Sequence, residues 1–348
     1  MSKSVVALEI TEEHVRAVEV RPGRTPLILA AGSVPLPPDS ARDSEILDSD
    51  AVAIAVRQLW SHAGIKSRSV ILALGSRRIL VRDYTTQAMT ADMMRQALPY
   101  QVQDLLPVPI DQAVLDFYPA SEVGDQVSGL LVAAVAEQVE SLISTLAKAK
   151  IEVDIVDLLP FGLARISRAL LVPGETAAMI HITDHTTYVV VMLDGIPRFV
   201  RIIPVDLPTT TVRARRAAEM QDSLVAQDEF EELLAPAGVG APLRSRASMR
   251  VGGSVTTAPD PNVADLVHQV RNTIRFANER PGAAPVTSVY LSGAGSAIPD
   301  VAAAIGQVLG TRVEYVNINM ITTSKITLEG EFALDLVGTL GVVYGGTF

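Results

Sequence analysis

The 348-residue chain has no cysteine, which excludes disulfides, thiolate metal centres and thiol catalysis and fits a reducing cytoplasm. No apolar run approaches the roughly 18 residues of a membrane span; the longest, such as Gly129 to Ala136, are strand-sized. Met1-Ser2-Lys3-Ser4 runs straight into a strand without a basic-then-apolar leader, so no direct membrane insertion is expected. There is no basic excess: 29 Lys and Arg face 39 Asp and Glu, a net charge of -10. That balance argues against general attraction to nucleic acid or to an anionic membrane surface. Arg213, Arg215, Arg216, Arg244, Arg246 and Arg250 are locally basic but lack interleaved aromatics, and read as a solvated face or loop. Neither a Gly-x-x-x-x-Gly-Lys phosphate loop nor a Gly-x-Ser-x-Gly nucleophile elbow occurs.

What the chain does have is a repeat. Val5 to Val20 and Ala178 to Phe199 share one plan: a β-branched strand, a short polar turn and a second apolar strand. The turns are Thr11 to Glu13 and Thr183 to His185. A hairpin that opens each half of a chain long enough for about two domains predicts duplicated domains facing each other across a cleft. This plan resembles the actin-like nucleotide-binding proteins, in which the two hairpin turns clasp phosphates.

Between and beyond the hairpins, strands alternate with helices. Gly32 to Pro38 reads as a Pro-rich connection, Asp50 to His62 as a helix and Ser69 to Leu74 as a buried strand. Ile79 to Val153 runs strand, helix, strand, strand, helix, strand, the size of a small inserted α/β subdomain; its first helix is stopped by Pro107. A polar helical stretch from Thr211 to Leu234 leads into a Gly-, Ala-, Pro- and Ser-rich segment, 235–261, expected to be a mobile loop. Asn262 to Glu279 is predicted helical, Val286 to Leu291 a strand, Pro299 to Leu309 a helix, Arg312 to Val316 a strand, and Phe332 to Tyr344 a closing helix. The alternation implies an α/β fold with mixed sheets.

Two local patterns invite chemistry. Ser292-Gly293-Ala294-Gly295-Ser296 follows a strand and precedes a helix, so it is either a tight turn or a loop that lets a ligand approach the backbone. Ile298 stands where a dinucleotide fingerprint would have its third glycine. His181 and His185 lie four apart on a strand and turn, where that spacing makes no common face, and local packing is the better reading than a metal site. Trp60 and the Met93-Met94 pair fall at helical core positions.

The segment Gln96-Ala97-Leu98-Pro99-Tyr100-Gln101-Val102-Gln103-Asp104-Leu105-Leu106-Pro107-Val108-Pro109-Ile110-Asp111, followed by Val114-Leu115-Asp116-Phe117, carries a family likeness. So do Ala149 to Arg165, Val289 to Gly295 and Phe332 to Gly338. In these features the chain resembles the PilM family, the actin-like cytoplasmic component of type IV pilus assembly and a relative of the cell-division protein FtsA. The resemblance implies duplicated ribonuclease-H-like domains with an inserted FtsA-type 1C subdomain. It implies subdomain 1A at 1–78 and 154–175, 1C at 79–153, 2A at 176–205 and 284–348 with the last helix packing back toward 1A, and 2B at 206–283.

The resemblance further implies that Glu9, Thr11, His181, Thr183, Gly293 and Gly295 occupy the nucleotide positions, with ATP and magnesium as the candidate ligand and no other metal. The family's phosphate hairpins carry an acidic residue and a glycine. Here the first reads Glu9-Ile10-Thr11 and the second His181-Ile182-Thr183, so one carboxylate survives and both glycines are replaced. If Phe230 to Leu234 aligns with the family's nucleotide-facing lysine segment, Leu234 replaces that lysine. The expectation is a degenerate ATPase acting as a scaffold at the inner face of the cell membrane. It would bind the cytoplasmic tail of a PilN-like bitopic inner-membrane protein, and other platform proteins or a pilus ATPase are further candidate partners. The inserted subdomain is the expected tail site, with Tyr100, Leu105 and Leu106 as apolar anchors, or as subdomain core, beside the rigid turn at Pro107 and Pro109. The alternatives are a working ATPase of the same fold and an FtsA-like filament former.

Overall fold

In the first hairpin, β1 (Val5–Ile10) and β2 (His14–Arg21) are buried along nearly their whole length on both faces. Continuous burial, rather than alternation, marks central strands of a sheet covered on two sides. The computed structural model, which describes residues 4–221 and 260–344, places them at the middle of a six-stranded sheet. Its order is β10-β6-β1-β2-β3-β16, where β3 is Leu27–Pro35, β6 Ser69–Leu74, β10 Glu152–Leu158 and β16 Thr323–Ser324. The second hairpin, β11 (Thr176–Ile182) and β12 (Thr186–Leu193), is central to a five-stranded sheet of order β13-β12-β11-β14-β15. There β13 is Ile196–Pro204, β14 Ser288–Ser292 and β15 Val313–Tyr315. In each sheet the hairpin's first strand also pairs in parallel with the strand of a following unit, β1 with β6 and β11 with β14.

Helix α1 (Ser49–Ala63) starts where Asp48 accepts from the amides of Asp50 and Ala51, both at 3.0 Å, and ends at Gly64 with φ 67°. An aspartate N-cap and a left-handed glycine are the standard punctuation of a helix. Its buried face, Val52, Val56, Leu59 and Trp60, packs on β3. Gly32, expected in a connection, lies inside β3, where a Cβ would come within 2.9 Å of Leu59 Cδ1. The glycine serves helix–sheet approach, and the chain leaves the strand only at Pro35. The two-residue strands β4 (Ala41–Arg42) and β5 (Glu45–Ile46) pair with each other.

Between β6 and β10 lies a three-stranded antiparallel sheet of order β7-β9-β8, with β7 at Leu80–Gln87, β8 at Ala113–Val123 and β9 at Gln126–Val135. Helix α2 (Ala91–Val102) lies on it through Met94, Leu98 and Val102, which form a separate small core with Val127 and Leu131. Helix α3 (Ala136–Lys148) packs on α1 and β10 instead, placing Val139, Leu142 and Leu146 in the core of the first half. Lys148 ties it to α1 through Asp50 at 2.9 Å.

Helix α4 (Leu159–Ser167), with Pro160 in its first turn, packs against the closing helix α8 (Gly330–Gly341). Both belong to the larger core, together with Met179, Tyr188 and Val190 from the second hairpin. The second half has its own core, made by β11 to β14 with α6 (Pro261–Asn278) and α7 (Val301–Leu309). A further helix, α5 (210–221), follows β13. The segment expected to be a loop up to residue 259, the Phe230 to Leu234 alignment, and Arg244, Arg246 and Arg250 lie outside the described residues.

Candidate functional site

The two hairpin turns are built alike to the level of single hydrogen bonds. In the first, the Thr11 amide donates to the His14 carbonyl at 2.8 Å, Thr11 Oγ1 donates to the same oxygen at 3.1 Å, and the His14 amide donates back to Thr11 Oγ1 at 3.0 Å. In the second, Thr183 makes the same three bonds with Thr186, at 2.9, 2.8 and 3.3 Å. A threonine side chain that closes its own turn explains why this residue stands where a glycine was expected. The side chain also takes up the His14 or Thr186 amide, while the Thr11 and Thr183 amides are held by backbone carbonyls.

Glu9, one residue before the end of β1, is buried beside the turn. Its Oε2 accepts from Thr339 of α8 at 2.5 Å and lies 4.0 Å from Arg16 Nη1. Glu9 and Arg16 are directly opposed in the hairpin register, so their side chains emerge on one face. Arg16 is fully buried and its Nη2 meets Asp335 at 2.8 Å and Asp184 at 3.6 Å. One guanidinium thus gathers carboxylates from β1, from the second hairpin's turn and from α8. Burial pushes Asp335 up to about 7 despite that cation, and burial likewise raises Glu9.

A second clasp joins the turns themselves. His185 Nε2 sits 2.8 Å from Glu13 and its Nδ1 2.8 Å from Asp206, while Arg215 of α5 reaches Glu13 at 2.9 Å. Burial opposes charge on His185, but the two carboxylates win and lift it to about 9. Burial also works against the Glu13 carboxylate, and its hydrogen bonds from His185 and Arg215 hold it below the usual range.

His181 is packed against Ser292 and the closing helix at Gly338. It is wholly buried, its Nδ1 is 2.8 Å from Ser292 Oγ, and burial depresses it to about 3, keeping it neutral. His181 and His185 therefore belong to different environments, and the described residues contain no metal-ligating cluster. Gly293, at φ 87°, packs so closely on β11 that a Cβ would stand 2.2 Å from the Ile182 carbonyl oxygen; one on Gly295 would strike the Ile182 side chain at 2.3 Å. The loop is fixed by the Gly293 amide donating to Leu334 at 3.1 Å and the Ala294 amide donating to Asp335 at 2.6 Å. Close packing of loop on strand is what its glycines serve.

The space lined by Glu9, Thr11, Thr183 and Tyr188 between the turns measures about 30 Å³, room for one or two waters. A nucleotide and its magnesium do not fit this arrangement. The Thr11 and Thr183 amides are engaged in their own turns, the carboxylates already share Arg16, His185 and Arg215, and small-molecule sites generally need about 300 Å³ or more.

The large apolar groove lies elsewhere. Between α2 and the edge strand β8 is a cavity of about 870 Å³, with Met94, Leu98, Ile110, Leu115 and Phe117 in its walls. Of the expected anchors, Tyr100 (81 % exposed) and Leu105 project to solvent, and Leu106 is partly buried against the small core under α2. Pro107 and Pro109 lie in an exposed link between two short 3-10 turns. None of the five lines the groove; their chain neighbours Pro99 and Ile110 do.

Sequence reasoning missed Arg16, Glu13, Asp184 and Asp335. Arg16 was one residue out of reach, because symmetric pairing about the predicted triplet Thr11 to Glu13 sets Glu9 against Val15, and only the observed Thr11–His14 closure sets it against Arg16. Asp335 and Asp184 had no local signal, since only the tertiary fold brings them to it.

The family model of the type IV pilus assembly protein PilM matches residues 7–201, more than half of the chain. A solved structure of the PilM-PilN type IV pilus biogenesis complex matches with a TM-score of 0.78 and 22 % identity, covering 98 % of this chain and 98 % of that one. The ethanolamine utilization protein EutJ from Carboxydothermus hydrogenoformans matches with a TM-score of 0.51 and 13 % identity, over 99 % and 90 % of the two chains. The fold is the actin-like one, as the paired hairpins led us to expect. No helix among the described residues is long and apolar enough to cross a membrane. With its hairpins, its inserted sheet and its match to that model, the chain belongs to the family of the type IV pilus assembly protein PilM.

Proposed function

We propose that this protein is an actin-like scaffold at the cytoplasmic face of a pilus assembly platform, and that it holds the cytoplasmic tail of a PilN-like membrane protein without using nucleotide. The solved PilM-PilN complex supplies the class of partner. The groove between α2 and β8 supplies the place, and it is the observation that carries the reading. Among the described residues strand β8 pairs only with β9, so its outer edge beside the groove offers a template for an extended peptide. Arg95 in the wall is paired with Asp92 at 3.2 Å, which leaves Asp116 and Glu122 without a cationic partner among the described residues, beside an apolar floor. That combination suits an extended segment with apolar side chains and basic neighbours, the usual character of a cytoplasmic juxtamembrane tail.

On this reading the sheet β7-β9-β8 with α2 corresponds to the FtsA-type inserted subdomain. The ionic clasp between the hairpins then does the work of holding the two halves together. Calorimetry with a synthetic peptide of the partner's tail tests the proposal. Binding weakened about tenfold or more by Ile110→Glu, and little changed by Tyr100→Ala, supports the groove. No heat at high peptide concentration overturns the scaffold reading, whereas binding that is lost only with Tyr100→Ala moves the tail to the exposed face of α2.

A further inference from the structure

A second cavity, about 480 Å³ in volume, lies where the inserted sheet meets the second half of the molecule. One wall is β7 with the β8 and β9 strands, and the other is the edge strand β13 with the turn that follows α6. Its size falls in the range of metabolite sites, roughly 300 to 1,000 Å³.

Three charged side chains line it: Asp83, Arg198 and Arg280. Arg280 is fully engaged. It pairs with Asp83, donates to the Arg198 carbonyl at 2.8 Å, and stacks over Phe199 at 5.4 Å. Arg198 is not. Its Nε is buried and has no hydrogen-bond partner among the described residues, and no carboxylate among them lies within salt-bridge distance of it. With that nitrogen shut away, an anion in the cavity would be met by the rest of the guanidinium, whose charge no carboxylate among the described residues offsets. The lining therefore carries one uncompensated positive charge, in a protein whose net charge is -10.

The opposite wall is prepared for an anion. Thr85 and Ser128 hold each other through their hydroxyls at 2.8 Å, and Ser121 stands beside the bulge that interrupts the β8 ladder between Pro119 and Ser121. Hydroxyl groups donate to phosphate or carboxylate oxygens, and bulges turn side chains toward sites that a regular ladder would not reach. Val191, Leu193 and Pro197 give the remaining surface an apolar character.

We infer that this cavity is a binding site for a small organic anion, a molecule with one phosphate or carboxylate group on an apolar body, held by Arg198 and the hydroxyls of the inserted sheet. Because β7 and β13 pack against each other beside it, an occupant tethers the inserted sheet to the second half. The site shares no lining residue with the space between the hairpin turns or with the groove under α2.

Titration of the full chain with phenyl phosphate, benzoate and neutral phenol, followed by calorimetry and thermal shift, tests the assignment. One of the two anions should bind and raise Tm while phenol does not, and the better of the two identifies the head group. Arg198→Gln should weaken that binding about tenfold or more. Ser121→Tyr, at an exposed position on the cavity rim, should block it while leaving the core untouched, so a misfolded Arg198 variant does not leave the matter undecided. Failure of both anions at millimolar concentration, equal binding of phenol, or full binding by the Ser121 variant overturns the site.

Discussion

Arg16 of the first hairpin and Asp335 of the closing helix meet at 2.8 Å in a fully buried pair, although they lie near opposite ends of the chain. Asp335 in turn accepts from Ala294 in the glycine loop, and Arg16 lies near Asp184 of the second hairpin's turn. These three contacts thus tie together four segments that are distant in the chain. Removing the cation from such a cluster strands its carboxylates, which costs about 3–5 kcal/mol for a buried pair.

Arg16→Met should accordingly lower unfolding stability by about that amount at pH 8. The loss should shrink at pH 5. Burial already raises Asp335 to about 7, and without Arg16 it rises further, so acid neutralises the stranded group and relieves the penalty. Urea titrations at the two pH values check this, and an equal loss at both would show that packing of the arginine stem, not charge, is what matters.

His185 gives the clasp between the turns a pH dependence of known sign. Its folded value, about 9, lies above its ordinary 6.5, so its contribution is fully present below about pH 6.5 and is lost as pH rises through 9. His185→Asn should therefore be less stable than the wild type at pH 6, and the difference should narrow toward pH 9.5. A difference that stays constant across this window would place His185 outside the clasp's electrostatics.

Much of the fold was legible because the signals were local. The strand Ser69–Leu74 matches its predicted bounds, and both hairpins turn where the polar triplets Thr11 to Glu13 and Thr183 to His185 predicted. Glycine and proline misled the reading of Gly32 to Pro38, because Gly32 answers to Leu59 across a helix–sheet contact and Pro35 merely ends the strand. The lining of the groove was harder. Tyr100 and Leu105 are apolar at plausible helical positions, but α2 turns Met94 and Leu98 toward the sheet and leaves Tyr100 on the outside. Which face of a short helix lines a groove depends on the register of β8, and that is a tertiary fact.

The threonine turns make a smaller and sharper prediction. Thr11→Val keeps shape and removes both side-chain hydrogen bonds to His14, and a net loss of about 1–2 kcal/mol follows from two such bonds. Thr11→Ser should recover most of it. Thr183→Val should behave the same way through Thr186. Denaturant midpoints of these variants measure the effect. A neutral Thr11→Val would show that closing the turn is not why threonine stands where a glycine was expected.

Magnesium and ATP should leave the protein's melting temperature unchanged. A ligand at 100 times its Kd stabilises a folded protein by about 2.7 kcal/mol, a shift no thermal scan would miss. The space between the turns holds only about 30 Å³, Thr11 and Thr183 have spent their amides on their own turns, and Glu9 is shared by Thr339 and Arg16. To admit a triphosphate, the Arg16 cluster and the Glu13–His185 contact would both have to open. A saturable rise in Tm with ATP and magnesium, abolished by Glu9→Ala, would show that they do open. It would favour a working ATPase over a scaffold closed by its own side chains.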